Sequence, residues 1–508
     1  MRESMCPGRF LASHRWVGPH IGPYKGSKTM NQRWRGRLLF VLASFLLGAS
    51  PGCAPYVGPL GDQAYPPLGA GRVLEKWQAM AREAPEGPLT LERAIQEALS
   101  ASPELRQIEE RLSAAAEQVR QAQAAFYPRL VFAEEFSITD NPVFAFMQLL
   151  HQRRLSFAMD FNDPGVHQNV SSRIQGEWSL FEGGARLYQS RAAARQRDGV
   201  ASEMLAARNK LVASVTEAYF RWLQSLAFLD VAEKAVLSAR TGQELGEARV
   251  RAQVALGSEL LRLKSRTAEA EGNRVTARSG ARRLQAALER LMARPIREEE
   301  IPDAREVAGE PQLARSGEFL QKALEQRPEI QAARSMILAA RERVKAARAE
   351  LLPKVGARAW YSWDSEELRG GGESWLASFQ ATWPLFQGGL TLSRIREAAS
   401  RLREMEARGE QVALDVALEV HQATIGLEEA RARLEVSFSR REFARRALEE
   451  VRSQYAQEVV TVDALLQAEL EWNRAEVAYT AALFDQRIAD AALKQALGEF
   501  ARWTEVGS

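Results

Sequence analysis

One pattern, Trp-x-Leu-Phe-x-Gly-Gly, occurs twice in this chain, at residues 178–184 and again at residues 383–389. The two copies are separated by 205 residues, and the same offset relates residues 215–218 to residues 420–423. An internal repeat constrains the fold strongly, because each copy must form the same supersecondary unit. The constant offset predicts a chain built from two copies of one unit.

Upstream of this pattern the offset changes once. Residues 102–105 (SPEL) resemble residues 327–330 (RPEI), and residues 126–130 (FYPRL) resemble residues 351–355 (LLPKV), both with an offset of 225. The first half is therefore 20 residues longer than the second between these two matches. We expect the extra residues in a connecting loop, between about Ser137 and Val170.

The N-terminal segment has the composition of a secretory signal. Three arginines follow Met30 and precede the apolar run LLFVLASFLLGA. A basic region followed by an apolar run of this length is typical of a signal peptide and is too short for a membrane span. We predict that Met30 is the true start, with residues 1–29 a misassigned start and residues 30–53 the signal. A genuine N-terminal extension is the alternative.

A lone cysteine stands where the signal ends. The chain has two cysteines, and Cys6 would lie outside the processed protein, so Cys53 has no disulfide partner. Its position resembles the acylated first residue of bacterial lipoproteins, and acylation would anchor the N-terminus in one leaflet. Gly52 suits that pattern and Pro51 does not. The alternative is ordinary signal-peptidase cleavage near Ala54.

Each half is predicted to contain an opening helix, two strands and two long helices. The opening helices cover about residues 91–125 and 319–351, and their Ala, Glu, Gln and Arg content favours helix. Pro103 and Pro328 lie early in these segments and predict a kink or a restart. The predicted organisation is an extended segment (54–88), a first repeat (89–293), a linker (294–318), a second repeat (319–500) and a tail (501–508).

Alternating residues predict the strands, at about 129–180 in the first half and 354–384 in the second. Apolar side chains recur at every second position of residues 355–363 and of residues 375–383, which is the period of a strand with one apolar face. Aromatic side chains at the strand ends are typical of a membrane barrel. Two hairpins cannot close a barrel alone, so a pore needs several copies of the chain. The alternative is a small soluble sheet.

The repeated Gly-Gly pairs are predicted to turn the chain sharply from a strand into a helix, since glycine tolerates backbone angles that other residues avoid. They are Gly183, Gly184, Gly388 and Gly389. Long helices follow, over about 185–293 and 390–498, each region holding two. The apolar positions 212, 215, 219, 222, 226 and 229 alternate steps of three and four, which is a heptad seam, so these helices should pack as coiled coils.

The strand pairs, Gly-Gly corners and paired long helices, all duplicated, resemble the TolC-like outer-membrane efflux proteins. The most specific marks are Tyr127-Pro128, Leu352-Pro353, the two corners and residues 455–468, YAQEVVTVDALLQA. The resemblance implies a mainly α-helical homotrimer with a twelve-stranded β-barrel in the outer membrane of a Gram-negative bacterium and a coiled-coil tunnel through the periplasm. It implies contact with outer-membrane lipid, a periplasmic adaptor and an inner-membrane pump of the RND or ABC type.

The resemblance also implies a role for the tips of the two long helical hairpins, which would contact the adaptor. The candidate residues are Gln253, Val254, Gly257, Ser258, Glu458, Val459, Val460 and Thr461. The family usually has glycine where this chain has Gln253 and Glu458, so both tips depart from its pattern.

Asp463 matches an acidic position that rings the periplasmic constriction in some members of the family. A second acidic position there corresponds to Leu466, and Ser258 is the first-half equivalent of Asp463. Three carboxylates around one axis would favour cations. The alternative is that Asp463 only stabilises a helix N-terminus through the helix dipole.

The sequence offers no candidate for catalysis, and we expect neither an enzyme nor a cofactor. The five histidines are scattered, and no phosphate-binding loop or nucleophile elbow occurs. A net charge of +3 gives no reason to expect a nucleic-acid partner. The leading hypothesis is a passive export duct of a tripartite efflux system. The alternatives are a type I protein secretion duct and a secreted coiled-coil scaffold without a pore.

Overall fold

The computed structural model describes Glu75, Ala79 and residues 87–302, 319–367, 371–457 and 459–505, all within one structural unit, Leu74–Ser508. Of residues 502, 504 and 505 only the backbone is described. The predicted signal, Cys53 and Glu458 lie outside the described residues, as do most of the 54–88 segment and residues 303–318 of the predicted linker.

The opening segment of each half forms two consecutive helices, and the break falls at the proline in both. Ser102 caps the second helix of the first half with its side chain, and Pro103 occupies the first helical position, where its missing N–H has no cost. The prediction of a restart is thereby confirmed. The helices are α1 (Leu91–Ala101) and α2 (Pro103–Ala124) in the first half, and α6 (Phe319–Gln326) and α7 (Pro328–Ala349) in the second.

Two strands per half form one antiparallel sheet in the order β1-β2-β3-β4. The central pair, β2 with β3, joins the two halves, and in it Ile174 lies opposite Tyr361. The register shifts between Ser179 and Phe181, which marks a bulge near one end of the sheet. The strands are β1 (Arg129–Thr139), β2 (His167–Glu182), β3 (Lys354–Ser365) and β4 (Gly372–Thr382).

The connection between β1 and β2 differs from the expected loop, because it contains a helix, α3 (Pro142–His151). Asn141 caps it by accepting hydrogen bonds from the N–H groups of Val143 and Phe144, and Pro142 takes the first helical position. The strands also extend further into the connection than expected. An Asn-Pro pair ahead of apolar residues is a helix-start signal, and it accounts for the difference.

The long helices follow the two Gly-Gly pairs and differ from the predicted bounds by at most a few residues. The first helix of each pair has 67 residues and the second has 36, so the longer ones extend for about 100 Å. They are α4 (Ala185–Arg251) and α5 (Gly257–Met292), then α8 (Leu390–Ala456) and α9 (Val462–Leu497). The helices pack as α4 with α5 and α8 with α9, while α7 lies between α4 and α8.

The predicted heptad seam on α4 lies in the largest hydrophobic cluster. Val212, Val215, Tyr219 and Trp222 are buried there against α1 and the end of α5. The Tyr219 hydroxyl donates a hydrogen bond of 2.9 Å to the carbonyl of Leu89, and burial raises the pKa of Tyr219 to about 12. This cluster lies where α1, α4, α5 and α9 meet, and it holds these four helices together.

Ion pairs fix the end of α5 to α1, just where the linker was predicted to begin. The Glu300 carboxylate is fully buried and accepts hydrogen bonds from Arg294 at 2.9 Å, and it also pairs with Arg93. Arg294 in turn donates to Glu97 on α1 at 2.6 Å. Residues 294–300 therefore pack against the first half rather than bridging freely to the second.

Candidate functional site

The corner glycines adopt the backbone angles that were expected of them. Gly183 and Gly184 have φ of +64° and +86°, and Gly388 and Gly389 have φ of +59° and +85°. A Cβ on Gly183 would lie 2.5 Å from the carbonyl oxygen of Ala349, so this corner packs against the opening helix of the other half. No atom of the described chain lies within 4 Å of a Cβ built on Gly388.

A hydrogen bond is repeated at the two corners. The indole N–H of Trp178 donates to the carbonyl of Phe126 at 3.0 Å, and that of Trp383 donates to the carbonyl of Leu351 at 3.0 Å. These residues are equivalent under the two offsets in the sequence. The duplication is thus visible in individual contacts.

The sheet has one apolar face and one mainly polar face. The helices α2 and α7 lead into the sheet, and α4 and α8 leave it, all at the same end. We call the opposite end, where β1 leads into α3 and β3 into β4, the outer end. The apolar face is exposed and carries Leu130, Phe132, Phe136, Ile138, Ile174, Trp178, Trp363, Trp375 and Phe379. The polar face carries Ser171, Arg173, Gln175, Glu177, Arg358, Ser378 and Gln380.

The first hairpin tip, between α4 and α5, ends α4 with a left-handed residue. Gln253 has φ of +64°, its N–H donates to the carbonyl of Val250, and the N–H of Val254 donates to the carbonyl of Arg249. This is a Schellman motif, in which glycine is the preferred left-handed residue. Ser258 lies in the first turn of α5, which begins at Gly257.

The second tip, between α8 and α9, closes in the same way at the residues that are described. The N–H of Val459 donates to the carbonyl of Gln454 at 2.9 Å, as Val254 does in the first tip. Thr461 caps α9, because its hydroxyl accepts a hydrogen bond from the N–H of Ala464. Val459 and Thr461 are exposed, and Val460 is half-buried.

Asp463 lies in the first turn of α9 and forms an ion pair that the sequence did not predict. Arg262, on α5, contacts both oxygens of the Asp463 carboxylate, and both side chains are more than half exposed. Since Thr461 is the N-cap, Asp463 is not needed to cap the helix, although its position suits the helix dipole. Its carboxylate therefore joins the two hairpins of one chain.

Further contacts connect the hairpins beside this ion pair. Leu263 of α5 packs with Tyr455, Val462 and Leu465 in a small buried cluster. The Arg249 guanidinium lies 4.9 Å from the centre of the Tyr455 ring, which is a cation–π contact. The tips are thus held to each other by one apolar cluster and by charged groups at its border.

Among the helices of the described residues, none combines the length and the apolar composition of a bilayer-crossing helix. In the same part of the chain, no three His, Cys, Asp or Glu side chains are grouped so that they could hold a metal ion.

Comparisons with known proteins agree with this geometry. The family described as outer membrane efflux protein matches residues 94–294 and 319–499. Protein CyaE of Bordetella pertussis is 28% identical over 424 residues, which cover 82% of this chain and 85% of CyaE.

Three solved structures share the fold, each at less than a quarter sequence identity. A membrane protein from Pseudomonas aeruginosa superposes with a TM-score of 0.68 at 22% identity, over 80% of this chain and 93% of that one. The outer membrane protein VceC from Vibrio cholerae gives 0.66 at 22% identity, over 80% and 96%. The open state of the MtrE outer membrane channel of Neisseria gonorrhoeae gives 0.66 at 21%, over 80% and 88%.

The family model matches both repeats. These repeats contain the duplicated corners, the amphipathic sheet and the long helical hairpins. The chain belongs to the outer membrane efflux protein family, and it is an outer-membrane efflux channel whose helices extend into the periplasm.

Proposed function

We propose that three copies of this chain close into one passive duct, with a twelve-stranded barrel in the outer membrane and a helical tunnel below it. One observation carries the proposal. A duplicated chain can pack its first half against a second half and its second half against a first half, and the single chain forms only the former junction. Within the chain, the first half meets the second through β2 with β3 and α4 with α7. The equivalent junction, β4 with β1 and α8 with α2, requires a neighbouring copy.

Burial along α8 supports a missing neighbour. Ala213 and Phe220 on α4 are buried, whereas their equivalents on α8, Leu418 and Ile425, are exposed apolar side chains. Another buried residue of α4, Asn209, corresponds to the exposed Leu414. The second half therefore presents to solvent a stripe that is more apolar than the buried stripe of the first half, and a neighbour would cover it.

The complementary surface lies on α2. Ala339, Ala346 and Ala349 of α7 are buried, and the α2 residues at the equivalent positions, Ala114, Gln121 and Ala124, are exposed. Short side chains on α7 allow α4 to pack closely. Two of the three equivalent α2 residues are also alanine, so α2 would accept α8 of a neighbouring copy. Gly388, open in the single chain, would then meet α2 of that copy as Gly183 meets α7.

The repeat also predicts how the sheets join. Ile174 lies opposite Tyr361 in the junction within the chain. Transferring this pair by the two offsets places Phe379 of β4 opposite Phe136 of the next copy, both on the apolar face. A barrel closed in this register keeps its apolar face towards lipid and its polar face towards the lumen, as in outer-membrane barrels.

The duct has no energy source of its own, and we propose that a periplasmic adaptor and an inner-membrane pump supply it. The adaptor would contact the exposed hairpin tips around Gln253 and Val459. Acylation of Cys53 would add a lipid anchor beside the barrel. We further propose that Asp463 from three copies surrounds the constriction, where Arg262 neutralises part of its charge.

Single-channel conductance of the detergent-extracted protein in a planar bilayer tests the duct and this ion pair. We expect a cation preference that falls in Asp463→Asn, because that change leaves Arg262 without its carboxylate. We expect the opposite shift in Arg262→Gln, which frees the Asp463 charge. Opposite shifts in the two variants support a constriction formed by the pair.

Other outcomes separate the hypotheses. Conductance that neither variant alters would retain the duct and leave Asp463 with a role at the helix terminus only. Folded protein that stays monomeric and does not conduct would contradict the duct and favour a coiled-coil scaffold. Multiangle light scattering on the same sample gives the number of copies.

A further inference from the structure

The helix α3 lies across the outer end of the sheet on its polar face. Gln148 donates to the hydroxyl of Ser137 at 3.1 Å, and Gln152 donates to the amide oxygen of Asn169 at 2.9 Å. Asn169 donates at 3.0 Å to the carboxylate of Asp364, and all three partners point to the polar side of the sheet. The 20 residues by which the first half exceeds the second thus fold back over the face that we assign to the lumen.

The far end of α3 reaches the last strand. A Cβ on Gly372, the first residue of β4, would lie 1.8 Å from the carbonyl oxygen of His151, so this contact requires glycine. Arg153 then donates to the carbonyl of Glu373 at 3.0 Å. A ten-residue helix is about 15 Å long, and four strands spaced by about 4.8 Å extend over about 14 Å. The contacts of residues 148–153 thus extend from β1 to β4, which is the full width of the sheet.

The side of α3 that points away from the sheet is apolar and exposed. Ala145 and Leu149 are buried against the strands, whereas Val143, Phe144 and Met147 are exposed, as is Leu150 one turn further on. These four positions form one stripe along the helix. The stripe has no partner in the described part of the chain. A helix whose outer side faces solvent would normally carry polar residues at these positions.

We propose that the α3 stripes of three copies meet around the axis and form an apolar constriction at the outer mouth of the channel. The inference rests on the proposed trimer. The α3 stripe of each copy would be covered by the α3 helices of the two other copies. The stripe continues the proposed interface, because α3 follows β1, the edge strand that would pair with a neighbour.

Dimensions favour a constricted mouth over an open one. A barrel of twelve strands tilted by about 40° has a radius of about 12 Å. A helix with its side chains is about 10 Å across. Three such helices, each lining one third of the wall, leave little open lumen, and their apolar side chains then contact one another.

The attachment of α3 suits a gate. Beside the buried Ala145 and Leu149, its polar contacts with the sheet are a hydrogen bond from Gln148 and, just after the helix, hydrogen bonds from Gln152 and Arg153 and the Arg154–Glu366 ion pair. Water can replace such bonds at small net cost, whereas a packed core would have to be exposed. A narrow apolar ring also stops ions by dewetting. The outer mouth would therefore block ions in the resting state and open when cargo displaces the α3 helices.

A cysteine in the stripe tests the proposed meeting of the three helices. In Phe144→Cys, a mild oxidant should join two copies by a disulfide, since thiols cross-link only when their Cα atoms are within about 7 Å. The matched control is Ile174→Cys, which replaces an exposed apolar residue on the opposite face of the same hairpin, away from the proposed junction between copies. The parent protein controls for Cys6 and Cys53. Disulfide-linked pairs in the first variant alone are expected.

Conductance supplies the second readout. We expect Phe144→Ser combined with Met147→Ser to raise the resting conductance, because water enters a polar ring. A trimer that conducts, forms no disulfide in the Phe144→Cys variant and shows unchanged conductance in the serine variant overturns the constriction but leaves the duct intact. A parent protein that is monomeric and silent overturns both. Single-channel recordings and non-reducing gels of the same preparations distinguish these results.

Discussion

At the scale of single residues, the backbone conformation of the corners follows from the sequence, and the side-chain pairs do not. Two consecutive glycines between a strand and a helix predict left-handed angles, and all four corner residues have them. The pairing of Arg262 with Asp463 joins residues 201 positions apart on different helices. A sequence gives the spacing along a helix but not which faces of two helices meet, so this contact was not predictable.

Gln253 carries a conformational cost that can be removed. A left-handed residue with a side chain is less stable by about 1 kcal/mol than glycine, before the greater chain entropy of glycine is counted. We expect Gln253→Gly to slow hydrogen exchange at the amides of Gln253 and Val254, and Gln253→Val to accelerate it. Val275→Gly, in a helix interior, is the control and should accelerate exchange. Faster exchange in Gln253→Gly would contradict the assigned backbone strain.

At the scale of elements, helices and strands with a clear period were predicted within a few residues, and α3 was not. Heptad spacing from position 212 to position 229 indicates the type of α4, and the Gly-Gly pairs mark where α4 and α8 begin. The segment after β1 has only ten helical residues, and its apolar composition suits a strand as well as a helix. Its Asn-Pro start was the available signal. Its position on the polar face depends on the folded sheet and has no counterpart in the sequence pattern.

The ion cluster at the end of α5 predicts a dependence of stability on pH. Burial opposes ionisation of the Glu300 carboxyl, but hydrogen bonds from Arg294 and from the Arg297 N–H outweigh it and hold the pKa of Glu300 below its ordinary value. A lowered pKa stabilises the fold above the unfolded pKa of about 4.3, and this contribution is lost as pH falls through the folded pKa.

We therefore expect Glu300→Gln to lower stability at pH 7 by about 2 kcal/mol, because the buried Arg294 loses one of its two carboxylate partners and keeps only Glu97. The difference from the parent should shrink as pH falls below the unfolded pKa of about 4.3 and then through the lower folded pKa of Glu300. Thermal unfolding of both proteins from about pH 3 to about pH 7 measures it. Glu298→Gln, at an exposed position two residues before Glu300, is the control, and an equal effect there would contradict the buried cluster.

At the scale of the whole molecule, the described chain forms one junction between its two halves and leaves the equivalent surfaces at its two edges uncovered. The sequence predicted a duplication and an assembly of several copies, because the strands are too few for a barrel. Which residues are exposed on α8 and buried on α4 became visible only in the folded chain. The comparison of equivalent positions then locates the proposed interface from a single copy.

A charged residue on the exposed stripe of α8 should prevent assembly. We expect Leu418→Glu to convert trimers into monomers, because the equivalent Ala213 is buried and a buried carboxylate without a partner is strongly unfavourable. Leu205→Glu is the matched control, since its equivalent on α8 is Glu410 and both positions are exposed. Light scattering of the detergent-extracted proteins gives the mass. Trimeric Leu418→Glu would refute the assigned interface.

The equal lengths of corresponding long helices restrict how such a gene can change. Both halves have helices of 67 and 36 residues, and in the proposed duct both hairpins would have to end at one level to form an even rim. Deleting one heptad from α4 and α5 alone would shorten one hairpin by about 10 Å and leave a notch at every second position of that rim. Length changes in the hairpins are therefore tolerated only as matched pairs in both repeats, whereas the outer connection of the first repeat was free to acquire a helix by itself.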